Sequence, residues 1–192
     1  MGLFKKATNN TELTERQILE NKYSSSCGNI LLVIIFTLIN VVLLIANSNT
    51  YFLFSAYVPY LVADLGMSFC GLYPAEYYAE LGTLNFLPKG AFAVFMIVVA
   101  IILALYLICW LLGKKGKSGW LTVALILFAV DTLVLILLVG FSADAIVDYL
   151  FHGWVVISLI GGISAAKKLK NLPEEVELPA EEEIPAEIPE EA

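Results

Sequence analysis

Residues 120–141, WLTVALILFAVDTLVLILLVGF, constrain the fold more than any other stretch. Asp131 is their one charge, and a helix of this length is about as long as the ~30 Å hydrocarbon core of a bilayer is thick. Three more runs of similar length follow the same rule: residues 28–47, 91–113 and 146–166, the last admitting Asp148 and His152 near its start. Lipid offers no hydrogen bonds to a backbone, so apolar runs this long are expected to be helices. The chain reads as an all-α integral membrane protein, a bundle of four transmembrane helices with both termini cytoplasmic. Composition agrees, with 59% hydrophobic and 15% charged residues, against roughly half and a quarter in a soluble domain.

The remaining segments fall between and around these spans. Residues 1–27 form a cytoplasmic N-terminal segment in which Thr14-x-x-Gln17 has the spacing of a capping box, predicting a short surface helix. Lys5 and Lys6 read as a basic anchor. Lys6 stands where a myristoylation start needs Ser or Thr, and no small-residue cleavage site of a signal peptide is expected. Residues 48–90 form an outer segment. Its aromatic part, Tyr51–Tyr73, contains Pro59, Asp64 and Gly66 and is expected to be a helical element on, or dipping into, the outer leaflet. The stretch PAEYYAELGTLNFLPKG predicts one short helix and a loop. Ser142–Ala145 is too short for anything but a turn, so the third and fourth spans are antiparallel neighbours. Residues 167–192 are a basic anchor followed by an acidic tail. Pro173, Pro179, Pro185 and Pro189 alternate there with glutamates, a composition expected to stay disordered.

The net charge of −7 hides this division. All eleven basic residues and nine of the eighteen acids precede Asn171, which leaves the body at +2, and the other nine acids sit in the tail. With four spans and a cytoplasmic N-terminus, ten basic residues face the cytoplasm and Lys89 alone faces out, as the positive-inside rule requires. If Tyr51–Tyr73 also crossed, the count would become five inside against six outside.

Several functions have no support. No basic stripe with interleaved aromatics exists for nucleic acid. Cys27, Cys70 and Cys109 make no disulfide framework or metal spacing, and a single histidine, His152, excludes a multi-histidine centre. No metalloprotease, intramembrane-protease or phosphate-loop motif is present, and the halves show no inverted repeat. No cofactor and no enzymatic activity are expected. The lipid bilayer is the one certain partner.

What remains is polar chemistry inside the spans. A carboxylate at the depth of Asp131 costs a few kcal/mol on insertion scales, so it needs a partner or a role. Helix rise places Asp131 about 15 Å, Asn40 about 10 Å and His152 about 9 Å below the outer ends of their spans. Asp148 and His152 are four apart and share a face. Asn40, Asp131, Asp148 and His152 are thus a candidate intramembrane polar site. Three readings of Asp131 stand open. It is hydrogen-bonded glue between helices, it meets a basic residue of a partner subunit, or it relays protons or cations. Ser158, Gly161, Gly162, Ala165 and Ala166 form a small-residue packing face, for another helix of this chain or of a second copy. The expected function is a non-catalytic accessory, assembly or interaction component of a membrane complex. It would work as a homo-oligomer or with a membrane-protein partner, its acidic tail offered to a basic cytoplasmic partner. The alternative is a small oligomeric transporter or channel using Asp131 as a protonatable or cation site.

Overall fold

The computed structural model describes residues 14–79, 85–140 and 145–173. Lys5, Lys6, the first three residues of the Ser142–Ala145 turn and the acidic tail from Glu174 lie outside the described residues. Six helices account for most of what is described: α1 (Glu15–Ile45), α2 (Tyr57–Phe69), α3 (Ala75–Tyr78), α4 (Phe92–Lys114), α5 (Gly119–Val139) and α6 (Ile146–Leu169). A 3-10 turn at Lys89–Ala91 leads into α4, and no strand occurs among the described residues. Four helices, α1, α4, α5 and α6, are long and apolar enough to cross a membrane.

The first span and the N-terminal surface helix are one element. Sequence reading separates them near residue 27, but α1 runs unbroken from its Thr14 capping box, where Thr14 and Gln17 each accept the other's backbone N–H. Nothing in residues 15–45 breaks a helix. Gly28 is tolerated with open space around it, and Ser26 and Asn29 turn into the bundle rather than toward their own backbone alone. At about 46 Å by helix rise, α1 is longer than a hydrocarbon core is thick.

α1 is also the hub, packing along α6, α4 and α2, while α5 bridges α4 and α6. Its contact with α6 is the closest. Gly162 is the reason: a Cβ there would fall 2.5 Å from Ser26, so only glycine lets these backbones approach so far. Ala165 and Ala166 are buried below it, and Gly161 lies under the Lys22 side chain. Ser26 Oγ donates to the Ser158 carbonyl (2.7 Å), and Asn29 Nδ2 donates to Ser158 Oγ (2.6 Å). The small-residue face is therefore filled by α1 of the same chain.

Above this seam lies the main apolar layer, where Ile30, Val33, Phe128, Val155 and Leu159 meet Tyr106 and Ala124. The outward faces of α4 and α5 are apolar as well; Ile97, Ile101, Ile126, Leu133 and Leu137 are all exposed. Such an all-round apolar surface is compatible with a membrane-spanning helix. The α4–α5 turn carries Lys114, Lys115 and Lys117, with Gly116 at φ +80 closing it.

Candidate functional site: a buried polar seam under a re-entrant segment

The chain between α1 and α2 does not lie across the end of the bundle. It turns back into it. Ser55 and Ala56 are fully buried, and the Ala56 N–H donates to Thr37 Oγ1 (2.8 Å). Thr37 stands eight residues before the end of α1, so the backbone has descended about 12 Å along the helix. α2 then starts at this depth. Irregular backbone inside an apolar bundle is tolerated only where its polar groups find partners in the protein. Here side chains supply partners for Phe52, Ala56, Tyr57 and Val58.

Asn40 is the first clamp. Its Nδ2 donates to the Phe52 carbonyl (2.6 Å) and to Ser55 Oγ (2.9 Å), and its Oδ1 accepts the Phe52 N–H (2.8 Å). Tyr51 closes over Ser55 through its hydroxyl (3.0 Å). Thr37 is the second clamp, passing its own hydroxyl proton to the Val33 carbonyl (2.7 Å) while accepting from Ala56. Asp131 is the third. Its Oδ2 accepts the Tyr57 N–H (2.9 Å) and its Oδ1 accepts the Val58 N–H (2.7 Å). These are the first two amides of α2, which no earlier carbonyl can satisfy. The cap residue Ala56 has no side chain for the task. A carboxyl group from α5 therefore caps α2 from across the bundle, at the positive end of the helix dipole.

His152 completes the arrangement. Its Nε2 lies 3.2 Å from Asp131 Oδ2, and both side chains are buried. Its Nδ1 lies 2.8 Å from the Asp148 carbonyl oxygen. A carbonyl only accepts, so Nδ1 carries a proton and donates it. Nε2 is left facing the carboxyl group, within hydrogen-bond distance of Oδ2. The ring stacks on Phe128 (4.9 Å, 19°) and meets Phe151 edge-on (5.8 Å, 80°), which fixes its plane.

Of the four sequence-derived polar residues, Asp131 and His152 meet directly. Asp148 enters through its backbone carbonyl, and its half-buried carboxylate does not join the pair. Asp148 stands one helical turn nearer the start of α6 than His152. Asn40 is hydrogen-bonded to neither Asp131 nor His152; it holds the same segment two to six residues earlier in the chain. Thr37 and Ser55 belong to the site without having been candidates, since a single hydroxyl in an apolar run carries no distinguishing signal.

Phe54 sits at the bottom of the dip with φ +74, a left-handed conformation that costs a bulky residue of order 1–3 kcal/mol. Its ring is held edge-to-face by Phe151 (4.3 Å) and lies near Trp154 and Phe36. The strained turn is thus fixed by aromatic packing on one side and by Asn40 on the other.

α2 climbs back to the same end of the bundle. Gly66 lets it press against Phe92 and Phe95 of α4. At its exit the Tyr73 hydroxyl donates to the Asp64 carboxylate, and burial together with this bond pushes the Tyr73 phenol well above its ordinary range. Burial pushes Tyr51 up to about 12. No group of three metal-ligating side chains occurs among the described residues. The chain matches no protein-family model, and no curated protein or solved structure is significantly similar to it.

Proposed function

We propose that this chain is a non-catalytic component of a membrane complex, a four-span scaffold that holds residues 46–79 in a fixed shape at one end of its bundle. The observation that carries this reading is the engagement of both Asp131 oxygens by the Tyr57 and Val58 amides. A carboxylate that caps a helix is committed to structure. The layer of Ile30, Val33, Phe128, Val155 and Leu159 supports the same reading, since it separates the Asp131 seam from the Ser158 seam. An opening in that layer is apolar and about 10 Å³, near the lower limit for one water. Both termini are cytoplasmic on this reading, with the basic α4–α5 turn beside them and α2 and α3 outside. Cysteine placed at Lys115 should react only with reagent admitted to the cytoplasmic side. The acidic tail is offered to a basic cytoplasmic partner; deleting residues 171–192 should release that partner from affinity-purified complexes.

Transport is the second reading, favoured by the direct, buried contact between Asp131 and His152. A flux assay separates the two. Purified full-length protein in proteoliposomes should pass no more protons or alkali cations than protein-free vesicles. Flux in the wild type that vanishes in a folded, monodisperse Asp131→Asn variant would overturn the scaffold reading.

A further inference from the structure

A cavity of about 580 Å³ opens where the end of α1, the Asn47–Thr50 turn, α2 and α3 meet. Four tyrosines line it: Tyr51, Tyr60, Tyr73 and Tyr77. They are arranged as two pairs, Tyr51 edge-on to Tyr60 (5.2 Å) and Tyr73 tilted against Tyr77 (4.5 Å). Two of the rings are fixed by their hydroxyls, Tyr51 through Ser55 and Tyr73 through Asp64. The walls are therefore set before any ligand arrives.

The charge around the cavity has one sign. Glu76 stands in its wall, and Asp64 lies behind Tyr73. Residues 46–79 contain these two acids and no Lys, Arg or His. α1 also ends here, with Leu44 and Asn47 in the wall, so the negative end of its dipole adds to the field. Tyrosine faces and carboxylates attract a cation, and aromatic walls favour one that sheds its water readily. A small metal ion is a poor match, because phenyl faces replace its hydration shell badly.

We propose that this tyrosine-lined cavity binds an organic ammonium cation, a choline-like head group whose methyls lie against the rings and whose charge faces Glu76. The chemistry is shared by a free cation and by the head group of a choline lipid. It does not depend on whether Asp131 moves protons.

The test uses the full chain in nanodiscs of phosphatidylglycerol, which carry no choline, titrated with choline and with tetramethylammonium by calorimetry. Saturable binding is expected. The neutral isostere 3,3-dimethylbutan-1-ol should bind at least about tenfold more weakly, as should choline to Tyr77→Ala. Glu76→Gln, which keeps the side-chain shape, should weaken binding severalfold. Tyr77 is half exposed, so its truncation leaves the fold in place. Repeating the titration in phosphatidylcholine nanodiscs identifies the source: loss of choline binding there assigns the site to the lipid head group, and unchanged binding assigns it to a free cation. No saturable binding in phosphatidylglycerol, equal binding of the neutral isostere, or indifference to both variants would overturn the proposal.

Discussion

The seam around Ser158 and the seam around Asp131 are both polar, both buried and both set in apolar helices, yet they hold different things. At Ser158 two regular helices meet. Their backbones are already satisfied, and Ser26, Asn29 and Gly162 add contact and register. At Asp131 the groups being satisfied belong to a non-helical turn and a helix start, which have no internal partners. The first seam adjusts how closely helices sit. The second decides whether residues 52–58 can be inside the bundle at all. Polar residues in an apolar span are commonly read as helix glue; here one seam fits that description and the other is a socket for backbone.

The largest separation between the seams is expected at Asp131. Asp131→Ala orphans two amides and His152 together, a loss of about 3–5 kcal/mol on the scale of broken buried pairs. The check is thermal unfolding of purified protein in detergent, which should show failure to accumulate or a large drop in midpoint. Asp131→Asn should be intermediate, because its oxygen accepts one amide while its NH₂ opposes the other. Asn40→Ala follows, leaving the Phe52 N–H and carbonyl unpaired at about 1–3 kcal/mol, with protease sensitivity rising near residues 52–55. At the other seam the test is a pair of glycines. Gly162→Ala drives a Cβ to 2.5 Å from Ser26 and should cost about 1–3 kcal/mol. Gly153→Ala, on the same helix with nothing within 4 Å, should stabilise by about 0.4–1 kcal/mol. The smallest loss belongs to Ser158→Ala, which removes the hydroxyl that accepts from Asn29 but leaves the carbonyl that accepts from Ser26, at about 1 kcal/mol. A Ser158→Ala loss equal to that of Asp131→Ala would erase the distinction.

The four long helices were legible because a uniform run of Leu, Ile and Val has few alternatives once it reaches bilayer length. Asp131 was legible for the opposite reason, as a charge in a run that has no other. Its main partners were not. Tyr57 and Val58 engage it through backbone amides, and an amide has no letter in the sequence. Thr37 and Asn40 interrupt α1 without announcing that they grip a returning chain, and Tyr51–Tyr73 reads equally well on or in the leaflet. Pro59 and Gly66, which argue against a span there, suit an element that enters and leaves by the same end: Pro59 sits in the first turn of α2, and Gly66 gives α4 its approach. The continuity of α1 escaped for a simpler reason, since a change from polar to apolar composition at Gly28 marks an environment boundary and not a helix end.

The most direct measurement is hydrogen exchange at the Tyr57 and Val58 amides of the full-length protein in nanodiscs. Slow exchange is expected in the wild type, with protection at these two positions lost in Asp131→Ala while the amides in the middle of α1 and α4 stay protected. Rapid exchange of Tyr57 and Val58 in the wild type, or protection unchanged by Asp131→Ala, would contradict the capping of α2 by Asp131.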